Sequence, residues 1–573
     1  MVLVALLLLS VGSVFAALAP SKGTGPVGHT KNGSYIGEYV PQLSQDIFRG
    51  IPFARAPRYE RPHSLNETWT GTRTATEPGL TCAGFGTNNQ FGWLVGEDCL
   101  NLNIVRPAAS QPGQDLPVMV WIYGGGFRQG SNRDPEFNTS FMVETSLQIG
   151  HPVIVVSINY RLSGFGFLWS QELNETGATN LGLRDQWKAL EWIQENIRGF
   201  GGDPGKVTIW GESAGAFSVD ILISAFNGQN NDLFQRAILA SGSWWLPSNY
   251  VPAAFQAVYD NITAATGCNE SADSLQCLKA LSYDALNATL AAQTTPSSPI
   301  IDGDFLSTLP TEAFFNDPPL LAPVDLITGC NSDEAIGLGI QVPYNSSDEL
   351  SDLVQALLVV NSSVSETILD LYPLDAQSPP YSLPMTVDWP ALTAAIGVPS
   401  GTQTRRAYAI FTDFYMMAGR RMTAKSWPEV FPNKKAYSYR WDTDPTTVPL
   451  VFTPGLGVGF AQHGAELSWE FRLPYVSGSP YPPLPKIDAM QKVSYAMQAQ
   501  WISFAATGDP NKHGLGWVPT WNPYGPGGAA KNMVYNGTVS DVLNLHIEDD
   551  DFRNEAIGWI NGNWELLQTY HAS

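Results

Sequence analysis

Five short apolar runs of strand length recur along the chain. They lie at residues 118–123, 152–158, 206–210, 236–240 and 324–328. A run that is apolar throughout, rather than at alternate positions, is typical of a strand buried on both faces, as in a parallel sheet. The sequence therefore predicts five strands of a mostly parallel sheet.

A helix is predicted between the second and third runs. Its apolar residues are spaced by three or four positions, which places them on one helix face; they are Leu183, Trp187, Leu190, Ile193 and Ile197. Strands that alternate with helices indicate the α/β class, with helices on both faces of the sheet and ligands at the carboxyl ends of the strands. Between 345 and 415 the pattern turns helical and irregular, which predicts an insertion beside the sheet.

The composition favours one large folded unit. The chain has 573 residues, 44% of them hydrophobic and 15% charged. Because no low-complexity linker or repeat divides it, we expect a single domain over residues 18–573. The formal charge of −22 would repel phosphate backbones and anionic lipid, so nucleic acid is not expected as a partner.

Residues 1–17 are predicted to be a secretory signal peptide. Their apolar run is too short to cross a bilayer as a helix, and Val14 and Ala16 suit the small-residue positions before a cleavage site. No later run of about 18 apolar residues indicates a membrane span. We therefore expect a secreted, extracellular protein without stable membrane insertion.

Ten sequons and five cysteines agree with an oxidising, glycosylating route. The glycosylation candidates are Asn32, Asn66, Asn138, Asn174, Asn261, Asn269, Asn287, Asn345, Asn361 and Asn536. Cys82 and Cys99 enclose 16 residues and Cys268 and Cys277 enclose eight, so each pair could close a local loop. Cys330 is left over and is expected to be a buried free thiol.

The third apolar run ends in Gly211-Glu-Ser-Ala-Gly215, a G-x-S-x-G pentapeptide. The pentapeptide alone has little meaning, but here it follows a strand and opens a predicted helix. That context is the sharp strand-to-helix turn that lifts a serine hydroxyl clear of a sheet. We therefore predict Ser213 to be a nucleophile.

A nucleophilic serine needs a histidine base that is oriented by a carboxylate, in the chain order serine, acid, histidine on this type of fold. His463 lies in a loop of small residues that could place its imidazole beside the serine. Glu334 follows the fifth strand directly and would emerge at the same sheet edge as Ser213. The adjacent Asp333 is its rival for the role of the acid.

A glycine run, Gly124-Gly-Gly-Phe127, ends the first strand. Flexible backbone of this kind can aim two N–H groups at one point, and the N–H of Ala214 would be a third. The sequence thus predicts an oxyanion hole next to the nucleophile.

The chain resembles the type-B carboxylesterase and lipase family, also called cholinesterase-like, of the α/β-hydrolase fold. The similarity covers nearly the whole chain and rests on Glu97-Asp-Cys-Leu-Asn-Leu-Asn, Val120-Trp-Ile-Tyr-Gly-Gly-Gly-Phe, Asn159-Tyr-Arg, Asn180-Leu-Gly-Leu-Arg-Asp-Gln, Phe200-Gly-Gly-Asp-Pro and Val207-Thr-Ile-Trp-Gly-Glu-Ser-Ala-Gly.

Several assignments follow from this resemblance, position by position. It implies a catalytic triad of Ser213, Glu334 and His463. The oxyanion hole that it implies consists of Gly125, Gly126 and Ala214. It also implies disulfides that join Cys82 to Cys99 and Cys268 to Cys277, and an internal ion pair between Arg161 and Asp185.

Two departures from the family bear on the substrate. In the family's lipases the first disulfide loop is a long mobile flap, whereas these 16 residues look too small to cover a large apolar mouth. Trp93 lies closer to the second cysteine than the choline-stacking tryptophan of cholinesterases, which argues against a cation-π site for choline. Trp244, Trp245 and Phe127 are the candidates for lining the acyl pocket.

The sequence as a whole predicts a secreted, glycosylated serine esterase that cleaves a neutral or apolar carboxylic ester through an acyl-enzyme, without cofactor or metal. Its expected partner is a small-molecule or lipid-like ester, and a homodimer is left open. One alternative is a lipase for triacylglycerols or sterol esters. Another, from a different class, is a non-catalytic cholinesterase-like adhesion module, because that fold also serves in binding.

Overall fold

An 11-stranded sheet forms the centre of the fold. The computed structural model describes residues 25–86, 88, 92–243, 252–293, 298–316, 318–338, 343–373, 401–443, 461–474, 483–525, 530–538 and 540–569. Within these residues the strands are β1 Val27–His29, β2 Ser34–Ile36, β3 Glu38–Val40, β4 Gln45–Pro52, β5 Ala54–Arg55, β6 His63–Ser64, β7 Thr72–Thr74, β8 Thr81–Cys82, β9 Val95–Gly96, β10 Asn101–Pro107, β11 Leu116–Ile122, β12 Ile154–Ile158, β13 Gly202–Glu212, β14 Arg236–Ala240, β15 Asp325–Asn331, β16 Ala436–Trp441, β17 Lys531–Tyr535 and β18 His546–Asp549.

The centre of the sheet is parallel and its two edges are antiparallel. The strand order is β18-β17-β16-β15-β14-β13-β11-β12-β10-β4-β3. The seven neighbouring strands from β17 to β12 in this order are all parallel to one another. At one edge β18 pairs antiparallel with β17. At the other edge β10, β4 and β3 follow β12, and each pairing there is antiparallel. The five predicted strands are β11 to β15, which lie side by side, so the predicted α/β class is confirmed.

Helices cover both faces of this sheet. They are α1 Ser140–Gln148, α2 Ser163–Gly166, α3 Gln171–Glu175, α4 Leu181–Asn196, α5 Ala214–Gly228, α6 Pro252–Thr266, α7 Ser274–Ala280, α8 Tyr283–Ala292, α9 Pro310–Asn316, α10 Glu334–Gly337, α11 Ser347–Leu358, α12 Ser362–Leu371, α13 Thr404–Thr412, α14 Ala418–Val430, α15 Leu467–Glu470, α16 Asp488–Thr507, α17 Asn554–Gly562 and α18 Trp564–Thr569. A π-helical turn, Asp413–Met417, joins α13 to α14. None of the described helices has the length and apolarity that a membrane crossing requires.

The helices agree with the apolar patterns in the sequence. The predicted helix is α4, and all five of its apolar marker residues are buried in the main core. The described part of the predicted insertion at 345–415 is mainly helical, as α11, α12, α13 and part of the π-helical turn, with short irregular connections between them. Residues 374–400 of that insertion lie outside the described residues. The insertion packs around a second apolar cluster beside the sheet.

Two buried ion pairs tie distant segments to the core. Arg161 binds Asp185 of α4 through two side-chain hydrogen bonds of 2.7 Å each, as the resemblance implied. Arg420 of α14 binds Asp550, 130 residues later in the chain, through two bonds of 2.8 Å. All four side chains are nearly or completely excluded from solvent. Each ion thus depends on its partner for the hydrogen bonds that water would otherwise supply.

Substitution of Asp185 by Asn tests the first pair. We expect it to lower the free energy of unfolding by about 3–5 kcal/mol, because Arg161 would remain buried without a counterion. The matched control is Glu67→Gln, which breaks an exposed pair with Arg73 and should change the free energy of unfolding far less, because water replaces the lost partner. Chemical denaturation followed by tryptophan fluorescence measures both variants. Equal losses in the two variants would contradict the prediction.

Candidate active site

Ser213 stands at the turn between β13 and α5. Its dihedrals, φ 55° and ψ −126°, are ones that side-chain-bearing residues rarely adopt, so the turn is strained. The flanking glycines allow the chain to pack closely here. A Cβ on Gly211 would lie 2.4 Å from the backbone of Gly215, and a Cβ on Gly215 would lie 2.0 Å from the carbonyl oxygen of Ile122. The spacing of the pentapeptide is therefore imposed by backbone packing around the serine.

Three side chains from distant parts of the chain form one hydrogen-bonded row. His463 Nε2 lies 2.7 Å from Ser213 Oγ, and His463 Nδ1 lies 2.6 Å from Glu334 Oε2. Glu334 begins α10, which follows β15. Because β13 and β15 are parallel, their carboxyl ends open at the same sheet edge. This row can pass the serine proton to the imidazole while the carboxylate holds the ring.

The other oxygen of Glu334 is also bound. Its Oε1 accepts the hydroxyl of Ser241 at 2.7 Å and the backbone N–H of Asn331 at 2.5 Å. With both oxygens held, the carboxylate cannot easily turn away from His463. Sequence analysis missed Ser241. The available signal was its position, because Ser241 follows the fourth apolar run just as Ser213 follows the third.

Asp333, the rival for the acid, faces elsewhere. Its carboxylate forms an ion pair of 2.6 Å with Arg405 of α13. Its backbone N–H donates to the carbonyl of Ala461 at 2.9 Å, so Asp333 helps to anchor the start of the histidine loop. Of the two adjacent acids, the structure therefore brings only Glu334 to His463.

Glu212, the residue before the nucleophile, is a second carboxylate beside the histidine, and sequence analysis missed it too. Its Oε1 lies 3.5 Å from His463 Nε2. Burial raises the pKa of Glu212 to about 7; the charge of His463 opposes the rise and that of Glu334 adds to it. Burial alone would lower the pKa of His463, but the carboxylates of Glu212, Glu334 and Glu466 outweigh it and raise that pKa to about 9. The site thus favours the imidazolium form.

The glycine run that follows β11 passes close to the serine. A Cβ on Gly124 would lie 2.9 Å from Ser213 Cβ, which shows how closely the glycine run approaches the nucleophile. Gly125 and Gly126 have φ of 98° and 63°, so this path of the chain requires glycine. Ala214 is the first residue of α5, where backbone N–H groups have no acceptor within the helix. These donors can face an oxygen bound at the serine.

The acyl-pocket candidates divide into two groups. Phe127 is buried and its ring lies 4.9 Å from that of Phe167, so it packs into the main core next to the glycine run. Trp244 and Trp245 lie outside the described residues.

Both implied disulfides are present, Cys82–Cys99 and Cys268–Cys277. Cys330 is the free cysteine and is buried, as expected. In the first disulfide loop Leu94 is 71% exposed, and the guanidinium of Arg133 lies over the ring of Trp93. The described part of this loop therefore presents apolar surface to solvent.

The ten sequons differ in the accessibility of their asparagines. Asn32 is buried and donates its amide N–H groups to the carbonyls of Leu65 and Glu67, and the amide of Asn536 donates to Asp442. Asn138 and Asn287 are half-buried. The exposed ones are Asn66, Asn174, Asn261, Asn269, Asn345 and Asn361.

Comparison with known proteins places this geometry in a family. The model of the carboxylesterase family matches residues 24–545, and the chain belongs to that family. Secreted lipase 1 of Botryotinia fuckeliana is 31% identical over 562 residues, which cover 90% of this chain and 89% of that protein. Secreted triacylglycerol lipase LIP1 of Gibberella zeae is 30% identical, with 90% and 87% covered.

Solved structures agree with the fold. EstA of Aspergillus niger superposes with a TM-score of 0.76 at 23% identity, covering 96% of this chain and all (100%) of that one. The carboxylesterase EST55 of Geobacillus stearothermophilus superposes with a TM-score of 0.72 at 27% identity, covering 92% and 99%. The protein is a carboxylic ester hydrolase with the α/β-hydrolase fold, and the adhesion alternative has no support among these relatives.

Replacing Glu212 by Gln tests the electrostatics of the site. Without this carboxylate the pKa of His463 should fall, so the neutral base would form at lower pH. We expect the acid limb of the pH profile of kcat/KM to move down by about 1 unit. Asp333→Asn is the control, because its carboxylate is paired with Arg405, and its limb should stay in place. If the acid limb of the Glu212→Gln pH profile does not move, Glu212 does not raise the pKa of His463 and the prediction is wrong.

Proposed function

We propose that the protein hydrolyses carboxylic esters through an acyl-enzyme on Ser213, with His463 as the base and Glu334 as the orienting acid. The observation that carries this proposal is the row of two short hydrogen bonds, 2.7 Å and 2.6 Å, that joins the three side chains. Residues 18–573 are proposed to make up one catalytic domain.

The chemistry follows from the positions of these atoms. Ser213 Oγ attacks the ester carbonyl carbon as its proton moves to His463 Nε2, and the carbonyl oxygen becomes an oxyanion facing the backbone N–H groups of Gly125, Gly126 and Ala214. The imidazolium then protonates the leaving alcohol. A water molecule then loses a proton to the same nitrogen and attacks the acyl carbon. His463 returns that proton to Ser213 Oγ as the bond between this oxygen and the acyl carbon breaks, which releases the acid and the free serine.

A neutral or apolar ester is the proposed substrate class. Glu212 lies within the site, and the chain as a whole has a formal charge of −22. An anionic substrate would therefore be repelled both on approach and beside the histidine. The similarity to proteins that are named lipases supports an apolar acyl group.

Three variants test the proposed triad. Ser213→Ala should lower kcat by about 10³-fold or more and abolish labelling by a fluorophosphonate, because that reagent bonds to the activated serine. Glu334→Gln should cost far more rate than Asp333→Asn, because only Glu334 contacts the imidazole. Labelling that survives in Ser213→Ala, or a larger loss in Asp333→Asn, would overturn the assignment.

A lipase acting on long-chain glycerides is the second candidate. It is favoured by the exposed Leu94 in the Cys82–Cys99 loop and by the similarity to a secreted triacylglycerol lipase. Against it, the loop holds only 16 residues and is tied at both ends. A lid of this size hides little apolar surface in water.

The rate around the solubility limit separates the two candidates. We expect ordinary saturation with soluble short-chain or aromatic esters and no increase in rate as substrate passes its solubility limit. The measurement is initial rate against concentration for esters from acetyl to oleoyl, with a cinnamoyl ester included. A sharp rise at that limit, with long-chain glycerides preferred, would favour the lipase.

We also propose that the protein is secreted and glycosylated. The support consists of the apolar residues 1–17, the sequons and the secreted relatives. The proposed glycan sites are the six exposed asparagines named above, because a glycan needs an asparagine side chain that is open to solvent.

A further inference from the structure

Glu470 is a buried carboxyl to which the proposed mechanism gives no role. It ends α15, the short helix that follows the His463 loop, and its side chain is fully excluded from solvent. Its Oε1 accepts two indole N–H groups, from Trp210 and Trp501, each at 2.8 Å. Its Oε2 has no hydrogen-bond partner among the described residues.

The two indoles belong to elements on either side of the histidine turn. Trp210 lies on β13, three residues before Ser213, and its ring stacks on Phe471 at 5.2 Å. Trp501 lies on α16, and the side chain of Gln498 on the same helix donates to the backbone carbonyl of Glu470 at 2.8 Å. One carboxyl oxygen thus joins the nucleophile strand, the turn after the histidine and the helix behind them.

The surroundings of Glu470 are acidic or phenolic. The titratable groups whose charges reach it are Glu466 on the same turn, Glu212 on β13, Tyr439 on β16 and Tyr535 on β17. Burial raises the pKa of Glu470 to about 8, the two indole hydrogen bonds work against that rise, and Glu212 adds to it. At neutral pH the carboxyl is therefore mostly protonated, and its ionisation above pH 8 places a further negative charge in this group.

We propose that Glu470 is a positioning residue for the catalytic triad, holding the His463 turn in register with Ser213 by accepting both indole N–H groups on one oxygen. The inference rests on the triad proposed above. A neutral carboxyl supplies the acceptor without adding charge. When Glu470 ionises, its negative charge is repelled by Glu466 and Glu212. This repulsion displaces the His463 turn, so activity declines at alkaline pH.

Two substitutions and one control test this role. Glu470→Gln keeps a carbonyl oxygen with two lone pairs but cannot ionise, whereas Glu470→Met removes the acceptor and leaves two buried indole N–H groups unpaired. The control is Gln500→Met on the same helix as Trp501, which removes the acceptor of a buried hydrogen bond donated by Tyr535 of β17. Each variant is assayed for kcat, KM and thermal unfolding on a soluble ester from pH 5 to 10.

We expect Glu470→Met to lower kcat by about 10- to 100-fold with little change in KM, because a small displacement of the base slows proton transfer more than binding. Glu470→Gln should stay within about threefold of the parent at pH 7 and keep a larger share of its activity at pH 9. Gln500→Met should lower Tm and keep its kcat.

Two results would overturn the role of Glu470: a folded Glu470→Met with the kcat of Gln500→Met, or a Glu470→Gln pH profile that coincides with that of the parent. The comparison of the Glu470→Gln pH profile with that of the parent tests the role of Glu470 even if Glu470→Met fails to fold. Fluorophosphonate labelling distinguishes a wrong role for Glu470 from a wrong triad assignment. If Ser213→Ala is labelled, the triad assignment fails; if Ser213 takes the label in every folded variant at the parental rate, only the inference on Glu470 fails.

Discussion

Parallel pairing of β13, β14 and β15 is the constraint on which the site depends. It brings the ends of three strands to one edge of the sheet, so that Ser213, Ser241 and Glu334 each lie just beyond a strand. Glu334 is then held from two sides, by Ser241 and by the backbone of Asn331. The histidine alone comes from a loop, and the fixed carboxylate sets where its ring must lie.

The sequence predicted β11 to β15 because strands buried on both faces of a sheet are apolar throughout. It did not predict the parallel strands β16 and β17 or the strands β10, β4, β3 and β18, because polar residues interrupt their apolar runs. Ser213 and His463 followed from motif and loop context. The choice between Glu334 and Asp333 could not follow, because Arg405, which binds Asp333, is 72 residues away.

The buried carboxyl groups are the part of the site that the pattern of apolar and polar residues did not predict. Glu212, Glu466 and Glu470 occupy positions where a sequence suggests solvated side chains, yet none is exposed. Burial raises the pKa of each; the charge of Glu212 adds to the rise for Glu466 and Glu470, and the charge of Glu334 adds to it for Glu212. The negative charge of Glu212 and Glu466 raises the pKa of His463, while Glu470, which burial keeps mostly protonated at neutral pH, accepts two indole N–H groups on one oxygen. The same few residues therefore determine both the geometry of the triad and the pKa of His463.

The Arg420–Asp550 pair has a consequence for how the chain matures during synthesis. Arg420 is packed into the sheet region, but its counterion is made 130 residues later. A ribosome must add that whole stretch before the guanidinium can be neutralised in place. Until then this corner of the core holds an uncompensated cation and stays open to water. The nucleophile turn follows β13, and β11, one of the two strand partners of β13, precedes it in the chain. This turn can therefore order earlier, and the corner around Arg420 closes late on the nascent chain.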